Sequence, residues 1–371
     1  MIIGIILLVL PALAYLTLLG WLTVVLKRGL SGMPPDRRGE PTVSVLVAAR
    51  NEAARIGDLI GQLARQDYPR HLYEVVLADD HSTDQSVAEA LKASAITGFS
   101  LKVCSPGELR GKRAALDAAV GCAHSDWFAF TDADTLPGVE WISRMMTAVT
   151  NESVVLVLGS IDMVSDGTWF GKMQAAEYQS IAALTAATAF ASVPVMANGA
   201  SMLVRADVYR KAVTDTFQKG YASGDDMFLL EYVQRHYGSG SIACQVWEEG
   251  RVVIRPEPTV AAFFHQRLRW ASKAGGYTDP TIVSISLLVV LTNLSIVVSL
   301  FGALLAQTSW WLPVLLYGIK TIADAPLLFV WSDHTGNLRL VFTRFLLLQL
   351  LYPFYAIGTG LAGLTVTMRW K

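Results

Sequence analysis

The sequence predicts an α/β domain, a mostly parallel sheet with helices on both faces, carried between apolar segments long enough to cross a bilayer. Short β-branched runs alternate with helix-like stretches between Thr42 and Phe130, the pattern of strand–helix–strand units. Polar clusters follow those strands, on the side where such sheets bind ligands. The hydrophobicity of the chain is concentrated at its two ends.

Of 371 residues, 53% are hydrophobic and 16% charged, against about a quarter charged in an ordinary soluble domain. Met1–Leu26 carries no charged residue and exceeds the roughly 20 residues that a spanning helix needs. Lys27-Arg28 follow it, then Met33-Pro34-Pro35 and Arg37-Arg38. No basic n-region precedes the apolar run, which is also longer than a signal core. The segment therefore reads as an uncleaved anchor with its basic side in the cytoplasm, and a bacterial inner membrane is the expected location. Thr281–Ala306, Ser309–Trp331 and Val341–Leu364 read as three C-terminal spans, the last interrupted at Tyr352-Pro353. Arg369 and Lys371 then fall on the outer side, against the preference for positive charge inside. Lys320 and Asp324 share a helical face at membrane depth, either as a functional pair or as an internal pair that packs one helix on its neighbours. The expected organisation is an anchor at 1–27, a basic linker at 28–40, the α/β domain at 41–255, an interfacial segment at 256–280 and transmembrane helices at 281–371.

A net charge of −1 gives no basic field for nucleic acid. Cys104, Cys122 and Cys244 lack C-x-x-C spacing, which argues against a disulfide framework or a zinc knuckle and for a reducing compartment.

Within the α/β region, Thr42–Ala48 is the first expected strand, followed by a helix over Arg55–Arg65. Tyr73–Leu77 is the second strand, running into Asp79-Asp80-His81-Ser82-Thr83-Asp84 and a helix through Lys92. Leu101–Cys104 is the third, Lys112–Ala123 a helix after Gly111, and Trp127–Phe130 the fourth strand. The first strand leads into A-A-R-N-E with no glycine, and no Walker A pattern occurs, which weighs against dinucleotide-binding and P-loop folds. Trp169–Phe190 reads as a helix whose Trp169, Phe170, Met173, Tyr178 and Ile181 form a core face.

The fourth strand carries the chemistry. Phe128–Pro137 reads F-A-F-T-D-A-D-T-L-P, and two carboxylates two residues apart at a strand tip repel each other unless a cation sits between them. A divalent cation with oxygen ligands suits them, and such ions also hold phosphate oxygens; a solvated acidic turn is the alternative. Ala48–Glu52, Asp79–Asp84 and Asp132–Asp134 converge on one sheet edge, and three clusters point to a site more strongly than any one of them.

V-S-V-L-V-A-A-R-N-E, L-A-D-D-H-S-T-D, R-G-K-R-A-A-L-D-A-A, F-T-D-A-D, S-G-D-D-M-F-L and Q-R-L-R-W occur in that order between Thr42 and Trp270. This set resembles the family 2 membrane glycosyltransferases, which include cellulose synthase, hyaluronan synthase and ceramide glucosyltransferase. The resemblance implies a GT-A fold, a nucleotide-sugar donor (usually a UDP-sugar), a Mg or Mn ion, and a membrane lipid or nascent glycan as acceptor. It places Ala48, Arg50 and Glu52 in the first nucleotide-binding loop, where Ala48 and Arg50 replace a frequent proline and aromatic. Asp80 resembles the carboxylate at the uracil and Lys112 the lysine near the diphosphate. Asp132 and Asp134 resemble the metal pair, the first also touching the ribose region. Asp226 resembles the general base, beside Asp225, with Gly220–Gly224 as a hinge. Gln266, Arg269 and Trp270 match the motif that closes over the pyrophosphate and frames the acceptor, whose cleft Asn198 and Gly199 line. The residues also admit plainer readings: Asp80 and Asp84 as helix caps, Lys112 as a surface lysine, Asp225-Asp226 as an acidic helix start, and Arg267, Arg269 and Trp270 as interfacial anchors.

Overall fold

A computed structural model of the chain describes residues 2–32, 41–216, 225–363 and 365, with the backbone alone at Ile2, Thr216 and Asp225. The first half of the chain forms helix α1 (Ile2–Leu30), strand β1 (Val43–Ala49), α2 (Ile56–Leu63), β2 (Tyr73–Asp79), α3 (Ser86–Thr97), β3 (Leu101–Cys104), α4 (Lys112–Cys122), β4 (Trp127–Phe130), β5 (Leu136–Pro137), α5 (Trp141–Thr147), β6 (Leu156–Leu158), β7 (Ile161–Met163) and α6 (Trp169–Phe190). There follow β8 (Met202–Arg205), α7 (Ala206–Thr216), α8 (Asp225–Tyr237), β9 (Ile242–Cys244), β10 (Val252–Ile254), α9 (Val260–Ala271), α10 (Pro280–Leu304), α11 (Trp311–His334), α12 (Leu338–Phe342) and α13 (Phe345–Gly363). The chain divides into two compact units: a sheet unit, from the described parts of 33–164 and 196–255, and a helical unit, from those of 1–32, 165–195 and 256–368.

The sheet unit is built on seven strands in the order β3-β2-β1-β4-β8-β6-β9. β1 pairs in parallel with β2 and β4, and β2 with β3, whereas β8 runs antiparallel between β4 and β6. All seven residues of β1 are buried, so both faces of this interior strand are covered, as a run without alternation requires. α4 packs on β1 and β2 through Ala115, Leu116 and Ala119, spaced for one helical face. Ala49 lies opposite Asp79 and Leu46 opposite Phe130; this register lets the chain leave β1, β2 and β4 on one edge. Leu101–Cys104, Trp127–Phe130 and the helix Trp169–Phe190 form over the expected residues. β1 starts one residue later than expected, β2 runs on to Asp79, and the helix expected over Arg55–Arg65 is shorter, Ile56–Leu63.

A smaller sheet, in the order β5-β10-β7, lies in the same unit. There Gly138 donates its N–H to the Arg251 carbonyl at 2.8 Å, and a methyl group added at Gly138 would overlap the Glu249 carbonyl oxygen. Only a residue without Cβ allows that approach.

In the helical unit, four helices among the described residues are long and apolar enough to cross a membrane: Ile3–Leu30, Pro280–Leu304, Trp311–His334 and Phe345–Gly363. They expose large apolar side chains such as Leu10, Phe301, Val314 and Leu346, a surface that suits lipid better than water. Ala12, Ile296, Leu312 and Leu316 form one buried cluster, and Ala176, Leu328, Val341 and Phe345 another. The expected interruption at Tyr352-Pro353 does not occur. α13 runs through Pro353, whose missing N–H leaves the Gln349 carbonyl without its helical donor; the Tyr317 hydroxyl donates to the next carbonyl, that of Leu350, at 3.3 Å. Such neighbouring groups let membrane helices tolerate proline. The core face expected on α6 also needs correction. Met173 and Tyr178 are buried, but Trp169 is exposed, and Gln174, Glu177 and Gln179 are buried with the apolar residues. These polar groups find partners: Gln174 exchanges two hydrogen bonds with the Glu257 backbone, and Glu177 pairs with the buried Arg267 at 2.5 Å. Arg369, Lys371 and most of the basic linker lie outside the described residues.

Gly138→Ala is expected to destabilise the sheet unit by about 1–3 kcal/mol, because backbone rather than a side chain must yield. A melting temperature equal to that of the wild type in the same detergent would contradict this close approach.

Candidate active site

The edge beyond β1, β2 and β4 is built from three loops stitched to one another. Asn51, with φ 55°, turns the loop after β1. Its side-chain oxygen accepts the Thr83 N–H at 2.8 Å, and its own N–H donates to the Ser82 hydroxyl at 2.9 Å. The Glu52 N–H donates to the Ser86 hydroxyl at 2.7 Å, and Ala53 N–H to Asp84 at 3.1 Å. The Ser86 hydroxyl, against burial, and then the N–H groups of Ala53 and Ser86 hold the Asp84 carboxyl below its ordinary range. Asp84 is thus the residue at the start of α3, whereas Asp80 is turned inward and caps no helix.

Asp80 is fully buried. Its Oδ1 accepts the Gly111 N–H at 2.9 Å, and its Oδ2 lies 3.4 Å from Arg50 Nη1. Gly111, at φ 106°, occupies backbone space that favours glycine, and the next residue, Lys112, opens α4. Lys112 Nζ lies 2.5 Å from Asp132 Oδ1. Asp134, beyond it, meets Arg55 Nη1 at 3.3 Å, and the same nitrogen lies 4.0 Å from Glu52. Each carboxylate of the D-x-D pair therefore faces a protein cation.

Asp226 stands in the first turn of α8, and its Oδ2 accepts the Gly199 N–H at 3.2 Å. A methyl group added at Gly199 would lie 3.9 Å from Lys112 Nζ, 3.9 Å from Asp226 Cβ and 4.0 Å from Asp226 Oδ2. Lys112 and Asp226 thus approach the same point from different elements. Asn198 shapes that turn: its side-chain oxygen accepts the Ala200 N–H at 3.0 Å. The structure brings Arg50, Glu52, Asp80, Lys112, Asp132, Asp134, Asn198, Gly199 and Asp226 into one unit; Ala48 is buried in β1. The side chain of Asp225 and the hinge at Gly220–Gly224 lie outside the described residues. Gln266, Arg269 and Trp270 lie on α9 in the helical unit. There Gln266 donates to Glu257 at 2.7 Å, and the Arg267 guanidinium stands 4.4 Å from the Trp270 ring and 4.5 Å from that of Phe263. Arg267 is buried rather than anchored at an interface. Sequence reasoning assigned Arg55 no role and suggested only an anchor at Arg267, because nothing local marks an arginine whose partner is 79 or 90 positions away.

Asp132 and Asp134 offer oxygen donors only, and 34% and 38% of their side-chain surface is exposed. Among the described residues no three His, Cys, Asp or Glu side chains gather as a metal cage. Two open carboxylates fit a hard cation that completes its shell with water and phosphate oxygens.

A mostly parallel sheet with one reversed strand and acidic loops at its carboxyl edge is a GT-A-type architecture. The mannosyltransferase PcManGT from Pyrobaculum calidifontis, solved in complex with GDP-Man and Mn2+, matches 91% of this chain and 98% of its own at TM-score 0.56 and 19% identity, a likeness of fold. Residues 44–210 match the family model for glycosyl transferase family 2. The chain is similar to the beta-monoglucosyldiacylglycerol synthase of Nostoc sp., 29% identical over 245 residues, which are 64% of this chain and 49% of that protein. It is also similar to the dodecaprenyl-phosphate galacturonate synthase of Rhizobium johnstonii, 27% identical over 133 residues, 35% of this chain and 39% of that protein. The chain spans about half, or less, of the length of these relatives.

Gly199→Ala meets only ordinary van der Waals contacts, so stability is expected to stay within about 0.5 kcal/mol of the wild type. Turnover of any substrate held between Lys112 and Asp226 is expected to fall. Full turnover with unchanged melting would remove Gly199 from the site.

Proposed function

We propose that the chain is a membrane glycosyltransferase that moves a sugar from a nucleotide sugar, by resemblance a UDP-sugar, to a membrane lipid, a lipid-linked acceptor or a nascent glycan, with inversion at the anomeric carbon. The observation that carries this reading is the meeting of Lys112 and Asp226 at Gly199, with Asp132 held on the same lysine. Transfer from a nucleoside diphosphate needs positive charge for the leaving group and a base for the incoming hydroxyl, and these residue types supply both.

Asp132 and Asp134 would hold a divalent cation, Mg or Mn, whose chemistry is to offset charge on the departing diphosphate. Lys112 adds a positive charge where that charge develops. Asp226 takes the proton of the acceptor hydroxyl, its carboxylate oriented by the Gly199 N–H. A single displacement inverts the anomeric centre, by the same geometric logic as in inverting hydrolases. Gln266, Arg269 and Trp270 enter this reading through their sequence motif. The apolar helices and the name of the Nostoc relative support a lipid acceptor. Lys27 and Arg28 in the last turn of α1 support a cytoplasmic sheet unit, in a bacterial inner membrane.

The Rhizobium relative favours a second reading, a polyprenyl-phosphate sugar synthase. Its acceptor is already anionic and requires no base. Asp226→Asn separates the two: release of nucleoside diphosphate in native membranes is expected to fall by about 10²–10⁴-fold if Asp226 is the base. A rate near that of the wild type would favour the phosphate acceptor.

Asp134→Ala, or chelation of divalent ions, is expected to abolish release of nucleoside diphosphate, and excess Mg or Mn is expected to restore only the chelated wild type. A panel of nucleotide sugars that yields no release under any condition would instead favour a non-catalytic, nucleotide-binding membrane subunit.

A further inference from the structure

Arg267 stands inside Q-R-L-R-W at a position to which the motif assigns no role, yet it is the residue that α9 buries, while Phe264 and Leu268 are more exposed. A buried guanidinium is costly unless its donors are used. Arg267 Nη2 meets the buried Glu177 of α6 at 2.5 Å, and Nη1 donates to the Oε1 of its neighbour Gln266 at 2.5 Å. The rings of Phe263 and Trp270, one helical turn to either side, lie 4.5 and 4.4 Å from the guanidinium carbon. Gln266 is held from its other end as well, for its Nε2 donates to Glu257 Oε1 at 2.7 Å. Glu257 is fixed in turn by α6: Gln174 donates to the Glu257 carbonyl and accepts its N–H, each at 2.9 Å.

We propose that Arg267 is a positioning residue that sets the Gln266 side chain, with Glu177 as its support. The chemistry admits one orientation of the amide. A guanidinium only donates and a carboxylate only accepts, so the Gln266 oxygen faces Arg267 and its nitrogen faces Glu257. The second N–H of that nitrogen can then serve a substrate oxygen, and Gln266 acts as a donor. Gln174 and Glu177, three positions apart, share a face of α6. One helix therefore fixes both ends of the amide, the nitrogen through Glu257 and the oxygen through Arg267. The inference rests on the transferase reading, in which Gln266 meets substrate, and adds how that residue is held.

The test is release of nucleoside diphosphate in native membranes, with a nucleotide sugar that supports it in the wild type, for Arg267→Met, Gln266→Ala and the two together. Arg267→Met is expected to slow release by about 10²-fold, the cost of misplacing a substrate-orienting group by about 1 Å. In the Gln266→Ala background the same change is expected to add little, since nothing is left to orient. Losses that multiply would mark Arg267 as a merely structural residue and overturn the inference. Because Arg267→Met strands the buried Glu177, Arg267→Met/Glu177→Gln repeats the measurement without that charge, and a melting curve in detergent reports folding. Arg267→Lys keeps a charge on Glu177 but lacks the fork that spans Glu177 and Gln266, so melting is expected near that of the wild type while release stays reduced. Full release by Arg267→Lys, by the neutral pair or by Gln266→Ala also overturns the inference and leaves the transferase reading in place. If the wild type releases no nucleoside diphosphate from any nucleotide sugar, that reading fails and the inference with it.

Discussion

Negative charge gathered at one sheet edge is the constraint that the rest of the sheet unit answers. Parallel strands end together, so Glu52, Asp80, Asp132 and Asp134 are brought to the same side whether or not their charges agree. Like charges about 4 Å apart repel by about 4 kcal/mol at the effective dielectric of a protein surface. The fold offsets this with cations from separate elements: Arg50 and Arg55 from the loop after β1, and Lys112 from the start of α4. Backbone N–H groups complete it, Gly111 on Asp80 and Gly199 on Asp226. The positive φ of Asn51 and of Gly111 belongs to the same solution, since each turns a loop so that its donors face a carboxylate or a neighbouring loop.

The helical unit meets a harsher form of the same constraint. Lys320 is buried among apolar helices, where an unpaired charge is costly. Its ammonium lies 2.6 Å from Asp324 and 2.8 Å from Gln349, and the Tyr15 hydroxyl donates to Asp324 at 2.6 Å. Gln349 closes the ring with a bond to Asp324 at 2.9 Å. One polar knot thus joins α1, α11 and α13, the arrangement expected of an internal pair that packs one helix on its neighbours. A buried pair of this kind contributes little net stability compared with apolar packing. It ties three helices together at one level, and the Glu177–Arg267 pair ties α6 to α9.

What was legible in the sequence is what local periodicity and composition encode. Trp127–Phe130, Leu101–Cys104 and Trp169–Phe190 form over the expected residues because an apolar run, its flanking turn residues and its length all agree there. The four apolar helices were legible for the same reason. Pairings across long separations were not. The antiparallel entry of β8 between β4 and β6 has no local signature, and neither does the burial of Gln174, Glu177 and Gln179 on α6. Pro353 was misread because proline breaks a helix in water, whereas inside a bundle neighbouring groups satisfy the backbone. At the candidate site, Asp132 and Asp134 stood out by their spacing, and Asp80 and Asp226 only by their place in an ordered set of family-like motifs. Their partners did not: Arg55 on Asp134 and Gly111 on Asp80 exist only once the strands are in register.

The small donor set at Asp132 and Asp134 bears on how the proposed reaction is ordered. Each carboxylate already has a protein cation beside it, and both pairs are partly exposed, where such pairs are worth about 1 kcal/mol or less. In the proposed reaction, a divalent ion held by Asp132 and Asp134 would have to displace Lys112 and Arg55. An ion arriving with a diphosphate gains phosphate oxygens as well, and the displaced lysine gains a new anion to bind. On the proposed reading, the same ion pairs that keep the edge from repelling itself in the free protein would favour joint over separate entry of metal and nucleotide.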